Sequence, residues 1–108
     1  MNAPETLVAH RRGDDRVLQI LPSELSERDT VSAVEQDVEG YLNSQQPTKV
    51  VLDLEAVRFL TSEMLSALMR IRDMARKLGG EVRLSGLSQN VHDVFRITRL
   101  ERLFPIDA

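Results

Sequence analysis

The sequence predicts one small α/β domain. The sheet is mixed, with about four to five strands, and the helices lie mainly on one face. Three observations predict it. Apolar runs of strand length alternate along the chain with segments whose apolar residues recur at helical spacing. Lys49 to Leu54 is almost continuously aliphatic with one polar break, as a strand covered on both faces would be. From Met64 the period changes from two to about 3.6, and the pattern stops at Leu78-Gly79-Gly80.

The chain has 108 residues, enough for a single domain spanning 1–108 with one core. Hydrophobic residues make up 42% and aromatics 4%, so the core is aliphatic. A formal net charge of −3 argues against a general nucleic-acid binder. The absence of cysteine excludes disulfides and thiolate metal sites, and fits a cytoplasmic location. No apolar run approaches the ~20 residues needed to span a bilayer, so direct membrane insertion is not expected. Met1-Asn2-Ala3-Pro4-Glu5 has neither the basic nor the apolar region of a signal peptide.

Thr6 to His10 and Arg16 to Leu21 read as a hairpin at a sheet edge, around the turn residues Gly13-Asp14-Asp15. The basic triplet His10-Arg11-Arg12 beside that turn reads as a solvated loop. Ser26 and Asp29 have capping-box spacing ahead of a helix carrying Val31, Val34, Val38, Tyr41 and Leu42. Pro47 ends that helix.

The strand at Lys49–Leu54 comes next, followed by the Thr61-Ser62 corner and a long helix. Met64, Leu68, Ile71, Ala75 and Leu78 form its apolar stripe, and Ser66, Arg70, Asp73 and Lys77 fall opposite. Thr61 and Ser62 are both N-cap types, and Glu63 places a negative charge at the positive end of the helix dipole. Val82-Arg83-Leu84 resumes a strand, and the crossover is expected to be right-handed. At Ser85-Gly86-Leu87-Ser88 a second corner leads to a short helix with Val91, Val94 and Phe95, capped by Ser88. Arg99 to Phe104 adds a last turn, with a final short strand as an option. Arg96, Arg99 and Arg102, spaced i, i+3 and i+6, define one positive helical face that reads as solvated.

Catalytic constellations are missing. No glycine-rich loop with a lysine precedes a helix. His10 and His92 lack ligand spacing, so neither metal nor other cofactor is expected. Ser62, His92 and Asp53 make a triad only on paper, because Ser62 has no glycine-flanked elbow. The chain is therefore not expected to be an enzyme. Asp53, inside an apolar strand, reads as a carboxylate at the strand end or one that accepts backbone hydrogen bonds.

The stretch Val50-Val51-Leu52-Asp53-Leu54, then Val57-Arg58-Phe59-Leu60-Thr61-Ser62, then Leu65 and a helix ending in Gly79-Gly80, resembles the STAS domain. That family shows Leu-Asp-Leu at the end of a strand, a Phe-Ile-Asp-Ser-Ser-Gly-Leu corner, a helix and a Gly-Gly stop. The tail from Val91 to Phe104 is similar to the family's ending, where a helix leads to Thr-Gly-Leu and an apolar-Phe close. The resemblance implies an anti-sigma-factor antagonist that works by partner switching. Its partners would be a serine kinase that is also the anti-sigma factor, and an opposing phosphatase. The family's phosphorylated serine falls on Ser62, its Asp on Thr61, its second serine on Glu63 and its glycine on Met64. Ser62 is the implied phosphoacceptor, with Thr61 as the alternate. Glu24, Thr61, Ser62, Glu63, Leu65 and Met69 are the implied partner-binding residues. Leu65 and Met69 lie about 100–140° from Met64 around the helix, with Arg72 and Arg76 expected alongside. The three departures at Thr61, Glu63 and Met64 favour an alternative: a STAS interaction module without phosphorylation, such as a cytoplasmic subunit of a lipid-transport or signalling complex.

Overall fold

The computed structural model describes residues 5–107; Met1 to Pro4, searched above for a leader pattern, and Ala108 lie outside the described residues. The order is β1 (Leu7–Arg12), β2 (Asp15–Ile20), β3 (Glu24–Leu25), α1 (Arg28–Gln45), β4 (Lys49–Asp53), β5 (Phe59–Leu60), α2 (Ser62–Lys77), β6 (Glu81–Ser85) and α3 (Gln89–Ile97), and then one 3₁₀ turn at Leu100–Arg102.

Four strands form the main sheet in the order β1-β2-β4-β6. β1 and β2 are antiparallel, whereas β2-β4 and β4-β6 are parallel. The expected hairpin is present, but its strands run closer to the turn. Only Gly13-Asp14 remain between them, with Gly13 at φ +61, as a two-residue hairpin requires. His10-Arg11-Arg12 consequently belongs to β1 rather than to a loop.

The register defines the two faces. Leu18, Leu52 and Leu84 lie side by side and join one hydrophobic cluster with Val34 and Val38 of α1, Leu68 and Ile71 of α2, and Val91 and Phe95 of α3. Val17, Val51 and Arg83 form the corresponding row on the other face. Val50, Val51 and Leu52 are all buried, so β4 is covered on both faces as its sequence demands.

Hydrogen bonds tie the remaining pieces on. Asp37 of α1 accepts from the Thr6 hydroxyl at 2.7 Å and from the backbone N–H groups of Glu5 and Thr6, which moors the entry to β1. Beyond the 3₁₀ turn, Ile106 bridges to Leu84 in parallel, and Arg83 holds the Asp107 carboxylate at 2.7 Å.

Helix ends follow the sequence at Ser88, at Gly79-Gly80 and at the start of α2, and depart from it at the start of α1. Ser88 Oγ accepts from Val91 N–H, as expected. Gly79, at φ +85, is the left-handed residue after α2; Gly80 N–H reaches Ala75 O at 2.8 Å and Gly79 N–H reaches Arg76 O, the paired bonds of a Schellman stop. The Ser26–Asp29 capping box does not form. Leu25 pairs with Leu60 in a small β3-β5 sheet, which keeps the chain extended through Glu27, and Glu27 becomes the cap with no side-chain bond. Of the two N-cap types at the next corner, Thr61 takes the cap position of α2 and Ser62 is the first helical residue.

The positive helical face at Arg96, Arg99 and Arg102 is also absent. α3 ends at Ile97, and Arg99 turns the chain at φ +62. Arg99 stands where the family ending Thr-Gly-Leu has its glycine. Exchange of Arg99 for Gly is therefore expected to stabilise the protein by about 0.5–1 kcal/mol, since left-handed backbone is strained for side-chain-bearing residues. Equilibrium urea unfolding of Arg99→Gly against wild type checks it.

Candidate functional site

The Thr61-Ser62 corner is built by two long-range contacts. Chain from β3 and chain from β5 run parallel, with Glu24 beside Phe59 and Leu25 beside Leu60. The Leu25 carbonyl then accepts from Thr61 N–H at 3.1 Å and from the Thr61 hydroxyl at 3.4 Å. The Thr61 side chain is thus turned to β3, and no cap side chain accepts from the first turn of α2. Thr61 O accepts from Leu65 N–H, which starts the helix.

This arrangement leaves Ser62 and Glu63 exposed and Thr61 half-buried. Ser26, Thr61, Ser62, Glu63 and Ser66 line one shallow cavity of about 510 Å³. The Ser62 hydroxyl is reachable from outside, on a helix end whose N–H groups favour negative charge.

The other candidate residues divide. Glu24 is exposed and its neighbour Phe59 is 52% exposed, so an aromatic ring stands in solvent close to the corner. The sequence reading did not single out Phe59. The alternation of β5, Phe59 out and Leu60 in, was the available signal. Met69 is half-buried against the core. Leu65 is buried, 7% exposed, and so lies outside any free surface. Its wheel angle put it at the edge of the stripe, but α2 packs against both α1 and the sheet and buries a wider arc.

Arg72 and Arg76 are not alongside the corner. They line a different cavity of about 300 Å³ with Gly80, Glu81, Val82, Leu103 and Pro105, toward the far end of α2. Arg72 Nε donates to Leu103 O at 3.0 Å, which turns it to the C-terminal segment.

Charge around the corner is organised by two ion pairs between α1 and α2. Arg70 donates to both Glu35 oxygens, at 2.6 and 2.9 Å. That hydrogen bond holds the Glu35 carboxyl below the usual carboxylate range, while burial and then the Glu35 charge push Glu39 up. Nearer the corner, Arg28 Nε lies 3.6 Å from Glu63 Oε1.

Asp53 behaves as its position in the strand suggested: Oδ1 accepts from Glu55 N–H at 2.9 Å and closes the turn after β4. Among the described residues no group of three His, Asp or Glu has the arrangement of a metal site. No helix among them is long and apolar enough to cross a membrane.

A parallel core sheet, a short β3-β5 bridge and an exposed serine opening the long helix define a STAS-type domain, and the family model for the STAS domain matches residues 16–108. The chain belongs to the STAS domain family. Among solved structures it is similar to an anti-sigma factor antagonist from Mycobacterium paratuberculosis, at 25% identity and TM-score 0.78 over 94% of this chain and 83% of that one. It is similar to an anti-sigma-factor antagonist (STAS) domain protein from Planctomyces limnophilus, at 21% identity and TM-score 0.79 over 94% and 88%. The Bacillus cell fate determinant SpoIIAA in its phosphorylated form has the same fold at 14% identity, with TM-score 0.66 over 94% and 91%.

Proposed function

We propose that this protein is an anti-sigma-factor antagonist whose binding is controlled by phosphorylation of Ser62. The observation that carries the reading is the exposed Ser62 hydroxyl at the first helical position of α2, in a chain of the STAS family. A serine kinase that doubles as the anti-sigma factor transfers the γ-phosphoryl of ATP to Ser62 Oγ. The Oγ–P bond forms, the bond to ADP breaks, and the hydroxyl proton leaves to a base of the kinase. An opposing phosphatase restores the hydroxyl by hydrolysis. Thr61 is the weaker acceptor, because its hydroxyl is engaged with Leu25 O.

The unmodified corner presents its shallow cavity at Ser62 and Glu63, with Glu24, Phe59 and the margin of Met69, to the partner in the cytoplasm. Phosphate adds about −1.5 to −2 charges at its centre. Contact is then lost through repulsion and desolvation, with no rearrangement of the fold required. The test is incubation with the source cell's kinases and ATP, followed by intact-mass and site mapping, and titration of the partner. Ser62→Ala is expected to bind like wild type and Ser62→Asp about tenfold or more weakly. Equal affinities for all three proteins remove the switch.

A second reading is an interaction module that docks without modification, for instance in a cytoplasmic lipid-transport or signalling assembly. The residues at Thr61, Glu63 and Met64, which differ from the family corner, favour it. Partner binding with no mass change at Ser62 would select it.

A further inference from the structure

Glu63 sets an electrostatic problem for a phosphate on the adjacent Ser62, and the structure holds an answer to it. Arg28, the first residue of α1, is 86% exposed and sits 3.6 Å from the half-exposed Glu63 carboxylate. A cation opening a helix is opposed by that helix's own dipole. Its ion-pair partner among the described residues is Glu63, across the interface between α1 and α2. The other cation with a long reach toward Glu63 is Arg70, and Arg70 is fixed in its two-bond fork to Glu35. Of the two, Arg28 is the loosely held one. At 3.6 Å it makes no hydrogen bond to Glu63, so moving it breaks none, and its exposure means that no burial is lost.

We infer that Arg28 is the phosphate-holding residue of the modified corner: it offsets Glu63 while Ser62 carries a hydroxyl, and turns to the phosphate once Ser62 carries one. This rests on the reading of Ser62 as the phosphoacceptor. A phosphate near −2 attracts a guanidinium more strongly than a single carboxylate does, and it accepts from the planar fork of N–H groups bidentately. The exchange leaves Glu63 unneutralised beside a phosphate that keeps about one negative charge, so the charge that the partner meets is spread over two side chains of the first turn of α2. The modified state is then defined by where Arg28 points as well as by the added group.

The experiment uses the full chain with phosphoserine installed at position 62 during synthesis, so that no kinase is needed. The second ionisation of the phosphate, near pH 6 in exposed phosphoserine, is followed by its ³¹P chemical shift. The charged groups placed there are Glu63 of α2, which lines the cavity, Arg28 of α1, which pairs with Glu63, and Arg70 of α2, which is held by Glu35. No histidine lines the cavity, so the transition belongs to the phosphate. Arg28→Gln is expected to raise the midpoint by roughly half a pH unit, the scale of one exposed ion pair. Arg28→Lys should restore part of that shift, and Glu63→Gln should lower the midpoint by removing the neighbouring anion. Coincident midpoints for wild type and Arg28→Gln overturn the role of Arg28. Failure of kinases to modify Ser62 instead overturns the switch, and the two results are read in separate experiments.

Discussion

Phe104→Ala is expected to lower stability by about 3–5 kcal/mol. Phe104 is fully buried and meets Phe95 edge-on, with ring centroids 6.1 Å apart and planes at 81°. Aromatics are only 4% of this chain, so these two rings fill space that aliphatic side chains elsewhere do not reach. Removing one leaves a cavity against α3, because the rest of the core is held by the sheet and cannot collapse into it. A domain of this size has roughly 5–15 kcal/mol in total, so the loss takes a large share of it. Equilibrium urea unfolding should show a lower midpoint at unchanged slope. Phe104→Leu should lose less than half as much. A loss under about 1 kcal/mol for Phe104→Ala would mean that the C-terminal segment is not part of the core.

The second large effect is expected at Gly80. A Cβ there would stand 2.5 Å from the Pro47 carbonyl oxygen and 3.3 Å from that of Thr48. Both are backbone atoms, and Glu81 N–H donates to Thr48 O at 3.0 Å at the start of the β4-β6 pairing. Nothing flexible can give way, so the whole 47–48 segment must shift and disturb the Lys49–Glu81 register. Gly80→Ala should cost about 1–3 kcal/mol, or several degrees in Tm by calorimetry. Gly79→Ala has open space around it and fails for a different reason, its φ of +85. Its penalty should stay near 1 kcal/mol. Reversal of that order would locate the close approach at the wrong glycine.

The strand–helix–strand unit from Lys49 to Ser85 was legible because each of its signals is local. An aliphatic run, a change of period and a Gly-Gly stop can each be read without knowing what lies opposite. β3 was not legible: two residues make a strand only because Phe59 and Leu60 come beside them, 35 positions later in the register. That same pairing moved the α1 cap from Ser26 to Glu27 and drew the Thr61 hydroxyl away from capping. The corner serine was singled out by sequence, and it stands exposed at the first position of α2. Burial of Leu65, the outward ring of Phe59 and the Arg28–Glu63 pair depend on which helix packs where. Arg72 and Arg76 were misplaced for a related reason: the helix is about 20 Å long from Ser62 to Arg76, and shared charge says nothing about which end faces a partner.

The bridge from Ile106 to Leu84 has a consequence for how copies of this protein can meet. It fills the outer backbone groups of β6 at Leu84 with the molecule's own tail, whereas β1 offers its outer side along Leu7–Arg12. A strand arriving from another copy would have to displace that tail to pair at Leu84, and would have nothing to displace along β1.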